Sequence, residues 1–237
     1  MSTKKLSSTI TLKTIKKAKT LADLGQPLNK NIALAICHTL SKPGKMPCFA
    51  YSIPATKCIT GGKLQKVAGA VCEMCYALKR SYTWRSTIQA MDKRYKSLSH
   101  PLWAESIAFL IKATGNPFFR WHDSGDLQSV EHLKKIAFVA RLCPKISFWL
   151  PTREPGIVGD YLEQGEIIPK NLTIRLSGFM VDAPPPLKLA ERLGIVSSIV
   201  TTDSKLRTCL APTQGGKCLD CRKCWDKREE VIAYEAH

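Results

Sequence analysis
Between residues 117 and 203 the chain repeats one pattern, and that repetition limits its fold more than any other feature. A short apolar run, 117–119, leads into Arg120-Trp121-His122-Asp123-Ser124-Gly125-Asp126-Leu127-Gln128, and then into a helical period over Val130–Leu142. Run 146–150 leads into Pro151-Thr152-Arg153-Glu154 and a helical stretch near 158–164. Run 172–176 leads into Ser177-Gly178, and after Pro184-Pro185-Pro186 a helix extends to Leu193. Run 197–201 leads into Thr202-Asp203. Strands separated by helices pair in parallel, because a parallel neighbour needs a long crossover. A continuous apolar run at 31–36 supplies an expected first strand. Segment 41–54, with Pro43, Gly44, Pro47 and Pro54, reads as loop. The expected fold is α/β: a partial or compact TIM-like (β/α) barrel with Cys-rich metal-binding insertions. Five strands fall short of a closed eight-stranded barrel.

Parallel sheets place their chemistry at the carboxyl ends of the strands. Asp123, Arg153, Glu154, Ser177 and Asp203 stand at those ends and are expected to face one shared mouth. Gly125 permits a sharp turn or a close approach to a ligand. A plainer reading of 122–129 is a capped helix start, with Asp126 or Ser129 as N-cap and Asp123 solvated.

Ten cysteines fall mainly into two groups. The N-terminus has no apolar signal core, so the chain is expected to be cytoplasmic, where a disulfide framework is not maintained. Metal is the alternative use. Cys58-x13-Cys72-x2-Cys75 offers three thiolates, with one position open or filled by Cys37, His38 or Cys48. Zinc and an iron–sulfur cluster both suit such ligands. Cys209-x8-Cys218-x2-Cys221-x2-Cys224 matches a closed four-thiolate structural site, with zinc ahead of iron–sulfur. Cys143 ends an apolar helix pattern and reads as a core thiol.

The formal net charge is +17, from 36 Lys and Arg against 19 Asp and Glu, which points to a polyanionic partner, nucleic acid first. No segment approaches the length of a membrane span, so no membrane partner is expected. Residues 1–30 carry Lys4, Lys5, Lys13, Lys16, Lys17, Lys19 and Lys30, and read either as a basic arm that follows phosphates or as a flexible start. Residues 77–114 read as helical and mix Tyr82, Trp84, Arg85, Arg94, Tyr95 and Lys96, a combination that suits unpaired nucleotides. Trp84 itself is expected in the core, as is Trp103. Lys217, Arg222, Lys223, Lys227 and Arg228 surround the last cysteines and could touch phosphates. The expected organisation is an arm over 1–30, a catalytic domain over 31–203 and a four-Cys zinc tail over 204–237.

The motif Asp123-Ser124-Gly125-Asp126-Leu127-Gln128 resembles the DSGG(F/Y)Q motif of tRNA-guanine transglycosylases, with Asp126 where that family has Gly. Those enzymes also carry a Cys-rich zinc site after the last barrel strands, of three Cys and a His. The longer pattern of PATKC, VCxxCYA, RWHDSGD, FWLPTRE and the terminal CxxCxxC, over roughly residues 50–226, resembles a phage family first known as a numbered gene product. That family is associated with the DpdA group, phage DNA-guanine transglycosylases.

The resemblance implies exchange of guanine in DNA for a 7-deazaguanine (preQ0-like) base through a covalent Asp–sugar intermediate. Asp123 would contact the base as acid or base, Asp203 would be the nucleophile, and Asp126 is the rival for either role. His122, Ser124, Gly125, Gln128, Arg153, Glu154 and Ser177 would bind substrate. A base inside a duplex must be flipped out or met single-stranded. Two other readings stand beside this one. Cys72-x2-Cys75-Tyr76-Ala77 is similar to the end of a radical S-adenosylmethionine motif, whose partial barrel carries an open-site cluster, though that family's CxxxCxxC spacing is absent. The third is a zinc-stapled DNA-binding protein without catalysis. The sequence leaves the oligomeric state open.

Overall fold
A computed structural model describes residues 10–236. Lys4 and Lys5 of the expected arm lie outside the described residues. From residue 10 onward that arm is not free chain: helix α1 (Leu12–Lys17) buries Ile15, and Ala18 beyond it is buried too.

Segment 31–36 is a helix, not the expected strand. Asn29 caps helix α2 (Lys30–Cys37) by accepting from the Ile32 amide at 3.1 Å, and Ile32, Ala33, Ile36 and Cys37 form one buried stripe. An apolar run of six suits either state, and the cap decides. The first strand, β1 (Phe49–Tyr51), lies inside the segment read as loop. Helices α3 (Ile59–Leu64), α4 (Arg85–Ser97) and α5 (Trp103–Ala113) precede β2 (Phe118–Trp121). The expected alternation then follows: α6 (Val130–Leu142), β3 (Ser147–Thr152), α7 (Pro155–Glu163), β4 (Leu172–Ser177), α8 (Leu187–Arg192) and β5 (Val196–Thr201). Ser129 caps α6, accepting from the His132 amide at 3.1 Å. A sixth strand, β6 (Val231–Glu235), pairs with β5. The expected tail therefore returns to the sheet.

All six strands are parallel, in the order β1-β2-β3-β4-β5-β6. The connections carry α5, α6 and α7 to one face, whereas the β5–β6 connection carries the last four cysteines to the other. The two faces of the sheet accordingly hold different cores. Phe119, Trp121, Phe148, Leu150, Leu172 and Ile174 pack against the helices. Full burial of an apolar side chain such as Phe119 or Phe148 stabilises by roughly 1.5–3 kcal/mol. Tyr51 is buried there with its hydroxyl satisfied, donating to Cys37 O at 2.6 Å and accepting from Trp103 Nε1 at 3.2 Å. On the opposite face Phe118 and Arg120 alternate out of β2 and meet Trp149 and Trp225. Trp84, expected in the core, is 65% exposed. Among the described residues no helix is long and apolar enough to cross a membrane.

Candidate functional site
The chain leaves β1 into a loop that carries Cys58, Cys72 and Cys75 over the carboxyl ends of the strands. Cys58 starts α3. A Cβ built on Gly61 would stand 3.1 Å from Cys58 Cβ, 3.4 Å from Cys72 Sγ and 3.8 Å from Cys58 Sγ. The two thiols thus converge on a face of α3 that only glycine leaves open. Cys75 interacts electrostatically with both. All three are free thiols. Burial pushes the Cys58 thiol up, helped by Asp126, the other two sulfurs and Glu154. Burial also raises Cys72, against the opposing pull of Arg153.

The strand ends hold this loop. Glu154, just past β3, accepts from the Thr60 amide and the Thr60 hydroxyl, each at 2.8 Å. It thereby satisfies a first-turn N–H of α3 from another part of the fold. Farther along, Val71 N donates to Phe179 O at 3.0 Å and Val181 N to Gly69 O at 2.9 Å, tying the loop to the exit of β4. Asp126 is buried and accepts three hydrogen bonds: Thr152 Oγ1 at 2.6 Å, Leu127 N at 2.7 Å and Arg153 N at 2.8 Å. Burial nevertheless raises its carboxyl to about 6. Arg153 Nε donates to Gly178 O at 3.0 Å.

Gly125 has φ +85°, and a Cβ there would lie 2.3 Å from Ile53 Cγ1 and 2.8 Å from Ile53 O. The glycine serves close packing of the turn on the β1 exit, where Ile53 N donates to Ser124 O at 3.0 Å. Gln128 folds back, its Nε2 donating to Asp126 O at 2.8 Å. His122 does not face the rim. Its ring is buried 5.3 Å from that of His132, and none of the four ring nitrogens has a partner among the described residues. Burial holds both imidazoles neutral, His132 down to about 3 and His122 well below its ordinary value. Ser124 Oγ is likewise buried without a partner.

Asp123 sits in a hydroxyl cage. Ser52 Oγ donates to Oδ1, as does Ser41 Oγ at 3.3 Å, and Tyr82 OH donates to Oδ2 at 3.1 Å. Tyr76 OH donates to its backbone carbonyl at 2.6 Å. Arg120 reaches Tyr76 OH at 3.4 Å and lies 4.4 Å above the Trp149 ring. Asp203 belongs to none of this. It is exposed, and its carboxylate accepts from Lys205 N at 2.8 Å inside its own turn. Strands β3 and β4 separate β2 from β5, about 14 Å across a flat sheet. Ser177 Oγ meets only Ser198 Oγ, at 3.4 Å, among the described residues.

The last four cysteines line one cavity with Trp225 and Ile232, of about 20 Å³, room for one water-sized sphere or ion. Cys224 Sγ lies 3.2 Å from Tyr234 OH. Two residues the sequence reading passed over fix this module to the sheet. Arg175, fully buried on β4, donates to Ser197 O and Glu229 O at 2.8 Å, to Asp226 O at 3.0 Å and to Lys223 O at 3.3 Å. Trp225 fits between Phe118 and Trp149 and donates to Phe119 O at 2.9 Å. An arginine in the middle of the apolar run 172–176 was the available signal.

The suggested fourth ligands lie elsewhere. Cys37 bonds Ala33 O within α2, and Cys48 packs with Trp149, Trp225 and Cys218. Burial pushes each of these thiols up to about 12. His38 stands beside Lys93 and Arg94. Among the described residues no three His, Cys, Asp or Glu side chains are already set as a metal shell.

A family model described as Gene product 88 matches residues 10–227, a span holding both cysteine groups and the first five strands. No curated protein and no solved structure matches the chain.

Proposed function
The chain belongs to the Gene product 88 family, and on that premise we propose that it is an iron–sulfur enzyme of the radical S-adenosylmethionine type, acting on nucleic acid from a partial (β/α) barrel. One observation carries the reading: three free thiols on the loop after β1, pinned across the carboxyl rim of a sequentially ordered parallel sheet. The donor set fits a four-iron cluster, since three thiolates leave one iron open to a ligand. Gly61 also leaves the space beside Cys58 and Cys72 that a larger residue would fill. When bound, such a cluster supplies one-electron reduction at that open position.

The chain's own residues prepare the place. Arg153 sets positive charge beside Cys72 and favours its thiolate. Glu154 holds the start of α3, and Asp126 holds the turn between β3 and Arg153. Tyr76, Tyr82 and Arg120 fix Asp123 at the adjacent rim. The +17 charge supports a nucleic-acid substrate.

Guanine exchange is less well supported. That chemistry needs a nucleophile and an acid within reach of one nucleoside. Asp203 stands three strand steps from Asp123 in its own turn, and Asp126 already accepts three hydrogen bonds.

At the four-thiol cavity the proposal is zinc in a structural role. Four sulfurs around space for one ion suit a closed tetrahedral shell. Anaerobic reconstitution with iron and sulfide tests both assignments. The expected product is brown, and Cys58→Ser, Cys72→Ser or Cys75→Ser each removes its visible absorption while bound zinc is retained. Colourless protein with zinc alone, unaltered by Cys75→Ser, refutes the iron–sulfur assignment.

A further inference from the structure
Four of the five tryptophans are buried, while Trp84 is 65% exposed. It is not an isolated apolar residue. Met74, Tyr76, Leu78 and Ile88 of the same stretch are exposed too. Lys79, Arg80 and Arg85 are exposed between them, and no Asp or Glu occurs from residue 74 to residue 91. Among the described residues none of those three cations is in an ion pair. The stretch is anchored at the rim: Tyr76 and Tyr82 pack edge to face at 5.7 Å and both donate to Asp123.

We propose that residues 74–88 form a docking surface for single-stranded nucleic acid, with Trp84 stacking an unpaired base and Lys79, Arg80 and Arg85 meeting its phosphates. The proposal deepens the preceding reading and rests on its nucleic-acid substrate. An open indole offers its face to a base only where that base is unpaired or flipped, so the surface selects single strands over duplex. The tyrosine anchors place the strand beside Asp123, Arg153 and the three thiols.

The test is fluorescence anisotropy of a labelled oligothymidylate against the full chain, with a duplex of equal length as comparison. Base–aromatic stacking is worth about 1–3 kcal/mol, so Trp84→Ala is expected to weaken single-strand binding roughly 5- to 150-fold. Arg80→Gln with Arg85→Gln is expected to flatten the salt dependence by about 1.4 in the log–log slope, at about 0.7 per phosphate contact. The oligonucleotide should also quench tryptophan emission in the natural protein and not in Trp84→Ala. Equal binding by Trp84→Ala, a preference for duplex, or adsorption to anionic lipid vesicles without oligonucleotide binding overturns the proposal. Binding is read without turnover, so the two readings fail separately. A protein that holds the strand at Trp84 but takes up no iron refutes the enzyme assignment alone.

Discussion

Glu154 offers the sharpest test of how the cysteine loop is held. Its carboxylate is buried and accepts two hydrogen bonds from Thr60, both at 2.8 Å. Hydrogen bonds to a charged group contribute about 1.5–3 kcal/mol each. Glu154→Ala should therefore destabilise by about 3–6 kcal/mol, since it also leaves the α3 amide unpaired. Glu154→Gln keeps one acceptor and should lose about half as much. Thr60→Val removes only the hydroxyl bond, at about 1.5–3 kcal/mol. In a double-mutant cycle the Glu154→Gln and Thr60→Val losses should fall short of additivity by about 1 kcal/mol or more, because both act on one carboxylate. Urea unfolding measures the stabilities, and amide exchange at Thr60 reports the cap directly. Exchange there should accelerate in Glu154→Ala before global unfolding. A loss below about 0.5 kcal/mol, with Thr60 exchange unchanged, would refute the clamp. A variant that lost activity and kept both values would point instead to a role for Glu154 in the chemistry.

Three more outcomes follow from the same geometry. His132 titrates near 3 in the fold against about 6.5 in the unfolded chain, so its contribution is full above pH 6.5 and is lost as pH falls. His132→Phe should be near neutral at pH 7 and raise stability by on the order of 2 kcal/mol at pH 5, read by thermal melts at both values. Asp126 titrates near 6 in the fold, above an unfolded carboxyl near 3.9. Its contribution is thus present below pH 4 and lost as pH rises through 6. Asp126→Asn should remove that slope, and an unchanged pH profile of urea midpoints counts against the burial argument. Gly125→Ala must carry φ +85° and a Cβ 2.3 Å from Ile53 Cγ1. Backbone strain and overpacking together make about 2–5 kcal/mol, and a calorimetric melt within a degree of the natural protein would contradict it.

What the sequence disclosed was periodicity, and what it hid was partnership. The alternation from 117 to 203 placed strands β2 to β5 because each run was bounded by turn residues and followed by a helical period. Segment 31–36 misled because an apolar run carries no period, and the Asn29 cap outweighed it. Strand β1, three residues long among prolines, has too little pattern to register. Strand β6 lies beyond the last cysteines, where no preceding helix announces it. Residue type exposed the acids at the strand ends but not their use. Asp126 and Glu154 hold backbone amides from other loops, a fact visible only once Arg153 and Thr60 are brought to them. Trp84 illustrates the converse: a large aromatic is core by default, and only the fold reveals that it stands mostly exposed among the described residues.

The four-cysteine module explains how the face away from the helices is completed. Pairing in register sets Arg120 beside Trp149, and Trp149 beside Thr173. With the helices on the opposite face, this row and Arg175, two residues along β4 from Thr173, would stand open to water. The module supplies what is missing. Trp225 covers Phe118 and Trp149, its carbonyl accepts from Thr173 Oγ1 at 2.8 Å, and its neighbours' carbonyls receive the Arg175 guanidinium. Arg120 is left lying on Trp149 with its fork aimed at Tyr76, hence at Asp123. A metal that closes the four sulfurs would thus act on the rim through packing alone. Stripping it with a strong chelator should move Trp149 and Trp225 emission to the red and loosen Arg120 from Tyr76. An unchanged emission spectrum after complete zinc removal would show that the inner row stands without the module's metal.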